Sequence, residues 1–133
     1  MANAIYPKYK EAILQSAANS SLLAGTVKLA LVDTGTYTYS AAHEFLTSLT
    51  GVIGTAATLA SKTVTNGSFD SADPVFSAPS GTSVEALVMY IDTGTASTSR
   101  LIAYLDTGFT GLPITPSGSD ITVAVNAAGW FTL

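Results

Sequence analysis

At 133 residues and without cysteine, the chain suits one domain with its own core, and it excludes disulfides, thiolate metal sites and a cysteine nucleophile. The net charge is −4, and its five basic residues (Lys8, Lys10, Lys28, Lys62 and Arg100) are scattered, so no basic stripe offers itself to nucleic acid. Charged residues are only 11% of the chain, against about 25% in ordinary globular domains; a surface this poor in charge points to burial between subunits of an assembly.

In chain order, residues 5–18 are predicted to form the main helix. Pro7 suits a first helical turn, where its missing N–H is not needed. Tyr6, Tyr9, Ile13, Leu14 and Ala17 recur at helical spacing as an apolar stripe. Lys and Glu interrupt the opening MANAIYPKYKEAILQ, so it does not read as a signal peptide. No apolar run approaches the ~20 residues of a membrane span. Residues 1–24 are read as an N-terminal helical arm and 25–133 as a β-rich domain. Two uses of the stripe stand open, packing on its own domain and docking on a partner.

After Gly25 the pattern turns to β. Val27, Leu29 and Leu31 alternate with Lys28, Ala30 and Val32, and Thr36-Tyr37-Thr38-Tyr39 continues extended. Ser40 is read as the cap of a short helix over 41–49, with Phe45, Leu46 and Leu49 inward. Residues 50–60 are small and read as a long loop. Residues 62–65 lead into Asn66-Gly67, the strongest hairpin signal in the chain. Further strands are expected at 75–78, 84–92, 100–106, 121–125 and 130–133, with a short extended piece at 113–115. Short strands between Gly, Pro and Asn turns predict a mainly β fold, an antiparallel sandwich or jelly-roll-like domain with an N-terminal helix and one short additional helix. The apolar ending, with Trp130 and Phe131, is expected to close the core or an interface.

Asp-Thr-Gly occurs three times, at 33–35, 92–94 and 106–108. It is the active-site signature of aspartic proteases, which need two facing carboxylates sharing a proton. It is also ordinary chemistry for leaving a strand, since Asp bonds the backbone ahead of it and Gly accepts positive φ. Asp92 and Asp106 are 14 positions apart and are expected at opposite edges of an antiparallel pair, where no proton is shared. Asp33 would have to pair across a dimer. The turn reading is preferred. His43 is the single histidine; no Gly-x-Ser-x-Gly elbow or second zinc-spaced His accompanies it. Asp70, Asp73 and Asp120 follow no EF-hand spacing. No catalytic, cofactor or metal residue is therefore assigned.

The segments MANAIYPKYKEAIL, TVKLALVDT, TYTYSAAHEFL and ASKTVTNGSFDSADPVFSA, then the run from Glu85 to Val123 and the ending VNAAGWFTL, together resemble a family of small virion proteins of tailed bacteriophages. The resemblance spans nearly the whole chain. It implies a non-enzymatic structural component: first a capsid decoration (cement) protein on the capsid surface that stabilises the shell of major capsid protein, second a tail or neck component. The expected partner is the major capsid protein, with a homo-oligomer, a trimer by analogy with cement proteins on three-fold positions, and neither nucleic acid nor membrane. Tyr6, Tyr9, Ile13 and Leu14 are the first candidates for partner contact, followed by Trp130 and Phe131. Two rival readings come from other classes. One is an aspartic-protease-like dimer using Asp33; the other is a glycan-binding tip using Tyr37 and Tyr39.

Overall fold

The computed structural model describes residues 3–109 and 112–133. Its elements are β1 (Ala4–Ile5), α1 (Pro7–Leu14), β2 (Thr26–Val32), β3 (Val52–Thr58), β4 (Thr63–Thr65), β5 (Ser68–Asp70), β6 (Val75–Phe76), β7 (Ala86–Asp92), β8 (Arg100–Leu105), β9 (Ile121–Thr122) and β10 (Phe131–Thr132). Single 3-10 turns occupy Leu46–Ser48 and Ala96–Thr98. The fold is mainly β and sandwich-like. A five-stranded sheet runs β1-β8-β7-β2-β3, beside a β10-β5-β4 sheet and a β6-β9 pair, and every pairing is antiparallel.

The centre of the large sheet is built from the most apolar segments. All of Ala86–Ile91 is buried. Successive side chains of a strand point to opposite faces, so both faces of this sheet are covered. β2 and β8 flank β7 and are nearly as buried. Phe69, Phe76, Ile121 and Trp130 from the smaller sheets and their flanks join the same core. Burying each large aliphatic or aromatic side chain here contributes about 1.5–3 kcal/mol.

Four expectations need correction. The helix ends at Leu14, because Ser16 takes φ 53° and the N–H groups of Ser16 and Ala17 return to the carbonyls of Ile13 and Ala12 at 3.1 and 2.9 Å. That is a Schellman stop made without glycine, hence invisible to a glycine-based reading. The arm over 1–24 is not separate from the β domain. Ala4 and Ile5 pair with Tyr104 and Ala103 of β8, and Tyr6 and Tyr9 are buried in the common core. The helix over 41–49 reduces to the 3-10 turn, because Phe45 bridges to Arg100 and the Leu46 N–H bonds the Ser99 carbonyl at 2.8 Å. The segment thus spends its backbone groups on β8 instead of on a helix. Within the loop expected over 50–60 lies β3, a largely exposed edge strand. Its VIGTAAT composition carries no apolar alternation, because little of it faces the core.

The Asn66-Gly67 hairpin forms as predicted, with φ 51° and 79° at the two turn residues and Thr65 opposite Ser68.

Candidate functional site

The three Asp-Thr-Gly sites are strand exits. At the end of β2, Asp33 Oδ1 accepts the Gly35 N–H at 2.8 Å, and Oδ2 accepts the Thr82 hydroxyl at 2.5 Å. At the end of β7, Asp92 Oδ1 accepts the Gly94 N–H at 3.0 Å and Oδ2 meets Lys28 at 3.1 Å. After β8, Asn3 takes over the corresponding role: its Oδ1 accepts the N–H groups of Asp106 and Thr107 at 2.7 and 2.9 Å. Asp106 itself accepts the Thr107 hydroxyl at 2.9 Å.

Register fixes how these carboxylates lie relative to one another. Ile91 pairs with Arg100 and Leu87 with Leu105, so Asp92 and Asp106 leave opposite ends of the sheet. Asp33 follows Val32, which pairs with Ala86, and so shares an end with Asp106. A hollow of about 370 Å³ at that end is lined by Thr34, Glu85, Tyr104, Asp106, Thr107 and Pro113. Glu85 is engaged there, accepting the Thr34 N–H and hydroxyl at 2.9 and 3.1 Å. The Thr82 hydroxyl, then the Gly35 N–H, hold the Asp33 carboxyl below the usual carboxylate range. The Gly94 N–H and Lys28 do the same for Asp92.

Asp70, Asp73 and Asp120 serve the backbone in the same manner, accepting the N–H groups of Ser71, Val125 and Ala78 at 2.8, 2.9 and 2.8 Å. Among the described residues, no group of three or more His, Asp or Glu converges as a metal-binding cluster would.

Tyr37 and Tyr39 do not form a sugar platform. Tyr37 is buried, with its hydroxyl between those of Tyr6 at 2.8 Å and His43 Nδ1 at 2.7 Å. Tyr39 is partly buried, its ring packed on Tyr6 and Tyr104 at centroid distances of 5.1 and 5.5 Å. Nothing local in the sequence marks this cluster, because its residues come from three separate segments: the start of the chain, residues 36–45 and β8. Burial pushes the Tyr6 hydroxyl strongly upward in pKa, and does so more mildly for Tyr37 and Tyr104.

The six residues singled out for partner contact divide. Tyr6 and Tyr9 face inward, and the Tyr9 hydroxyl, pushed up to about 12 by burial, donates to the Ser20 carbonyl at 2.8 Å. Trp130 is also internal; its Nε1–H donates to Ser71 Oγ at 2.8 Å and Phe109 stacks on its ring. These three side chains are core, not contact surface. Phe131 is partly buried against Phe69. Ile13 is partly buried, whereas Leu14 is 86% exposed. Ile13 and Leu14, with Ile5, Lys10, Thr132 and Leu133, line an open groove of about 400 Å³ between α1 and β10. Phe131 and Trp130 edge a neighbouring hollow that shares Ile5 and Thr132. The fold therefore brings the outer half of the helical stripe and the last strand onto one apolar surface. Ile5, Lys10 and Thr132 are the lining residues that the sequence reading did not single out for contact.

No family model matches the chain, and no curated protein matches it.

Proposed function

We propose that this chain is a non-enzymatic structural protein of a tailed-bacteriophage virion, most specifically a capsid decoration protein that seats on the shell of major capsid protein as a homo-oligomer. The family resemblance of nearly the whole sequence supports this reading. The structural observation that carries it is the groove of Ile5, Ile13, Leu14 and Leu133. Leu14 and Leu133 are more than half exposed there, a costly arrangement in water unless a partner covers them. A decoration protein works by burying surface on its shell, which needs a rigid scaffold and an apolar seat. The covered central sheet provides rigidity, and the groove provides the seat. The carboxylates that would serve a protease are instead spent on closing their own turns.

The test is co-sedimentation of purified protein with capsids that lack it, alongside its mass in solution. Saturable binding at a fixed ratio to the major capsid protein supports the reading and counts the sites. Binding only to tail or neck particles would move the protein to that location, and binding to neither would reject the virion role.

A further inference from the structure

The buried chain Tyr6–Tyr37–His43 holds two hydrogen bonds. Tyr6 and Tyr37 are 0% and 2% exposed, and His43 lies at the partly exposed outer end. Tyr6 Oη and Tyr37 Oη are 2.8 Å apart, and Tyr37 Oη and His43 Nδ1 are 2.7 Å apart. Each tyrosine brings one proton. With neutral His43 carrying its proton on Nε2, Tyr6 donates to Tyr37 and Tyr37 donates to Nδ1, so both protons are used and both contacts are made. A second proton on the ring places N–H at Nδ1, which can only donate. Three protons then compete for two contacts. Either Tyr37 turns its O–H to Tyr6 and orphans the Tyr6 proton, or it keeps accepting from Tyr6 and orphans its own. Among the described residues, no other hydrogen-bond partner is seen for either hydroxyl. An orphaned buried donor is expensive.

We propose that His43 is an acid-sensitive latch. Its protonation breaks this chain and loosens the 36–45 segment from the N-terminal β1–α1 corner, where Tyr6 sits between Ile5 and Pro7. The groups around it leave the balance to the chain itself. Glu44, the adjacent carboxylate, turns to Arg100 of β8 at 3.6 Å, and Arg100 lies over the Phe45 ring. Tyr39 and Tyr104 pack as rings against Tyr6 and Tyr37. Glu85 and Asp106 lie beyond Tyr104 and act on its hydroxyl. The segment that would be released also carries the isolated Phe45–Arg100 bridge.

The experiment compares urea unfolding of the wild type with His43→Asn, whose Oδ1 is bonded to Cγ as Nδ1 is and can accept from Tyr37, but which takes up no proton. Between pH 8 and pH 5, where imidazoles charge, the unfolding constant of the wild type should rise about tenfold more than that of the variant. Equal changes in the two proteins would overturn the proposal. Imidazole ¹⁵N spectra of the wild type provide a test that needs no variant. They should show the Nε2–H tautomer at pH 8, and the ring signals of Tyr6 and Tyr37 should shift together with His43 on acidification. An Nδ1–H tautomer at pH 8, or tyrosine signals indifferent to the His43 titration, would also overturn it.

Discussion

The ammonium of Lys62 is held by the main-chain carbonyl of Leu22 at 2.7 Å, across forty residues of sequence. It also donates to the carbonyls of Gly25 and, at 3.4 Å, Leu23. The connection from α1 into β2 is thus clamped by a single cation from the strand-poor stretch before β4. Charged donors make the stronger hydrogen bonds. Replacing Lys62 with Met should lower unfolding stability by about 1–2 kcal/mol and speed amide exchange at Gly25, whose N–H bonds the Ser21 carbonyl at 3.0 Å. Urea titration and hydrogen exchange check both effects; unchanged exchange at Gly25 would mean that the clamp is ornamental.

Acid should destabilise the fold in part through Asp33 and Asp92. Both carboxyls have lowered pKa values in the folded chain. Their contribution is therefore fully present above the ordinary carboxylate value of about 4 and disappears as pH falls through the lower folded values. The double variant Asp33→Asn/Asp92→Asn should lose less stability than the wild type between pH 5 and pH 2. Parallel stability curves for the two proteins over that interval would refute this.

Glycines at strand exits and turns differ in what surrounds them, and a pair of substitutions separates backbone conformation from space. Gly129 has φ 97°, and a Cβ there would lie 2.6 Å from the Phe69 carbonyl oxygen. Gly94 has φ 87° with nothing within 4 Å. Gly94→Ala should cost about 1 kcal/mol, the penalty of left-handed backbone alone. Gly129→Ala should cost clearly more, because β10 must shift away from β5 as well. Thermal unfolding of the two variants ranks them; the reverse order would contradict the packing described for β10.

Trp130 is the sole tryptophan and is buried with its Nε1–H bonded to Ser71. Its emission should be blue-shifted in the folded protein and move to the red on unfolding. Trp130→Phe should cost about 1–3 kcal/mol, through the lost hydrogen bond and the space left behind.

Much of the fold was legible because local and global preferences agree. β7 and β8 are continuous apolar runs, and their burial on both faces is what such runs call for. Asn66-Gly67 supplies the positive φ that its hairpin requires. β3 was hidden because an exposed edge strand needs little hydrophobic signal. The 41–49 segment has helical spacing but is captured by Ser99 and Arg100, more than fifty residues away. For the contact surface, periodicity located the helical stripe but not its direction. Tyr6 and Tyr9 turn inward while Leu14 turns out, because β1 anchors the helix start to β8 by the Tyr6 N–H bond to the Ile102 carbonyl at 2.9 Å. The Tyr6–Tyr37–His43 chain could not be read at all, since only the tertiary fold brings its members together.

Leu14→Glu tests most directly the proposed seating of the α1–β10 groove on the capsid shell. Leu14 is 86% exposed, so the substitution should leave unfolding stability within about 0.5 kcal/mol of the wild type. In co-sedimentation with decoration-free capsids, the wild type should bind saturably, and the folded variant should bind about tenfold more weakly or worse. Equal binding by the two proteins, or no binding by the wild type, would contradict the account.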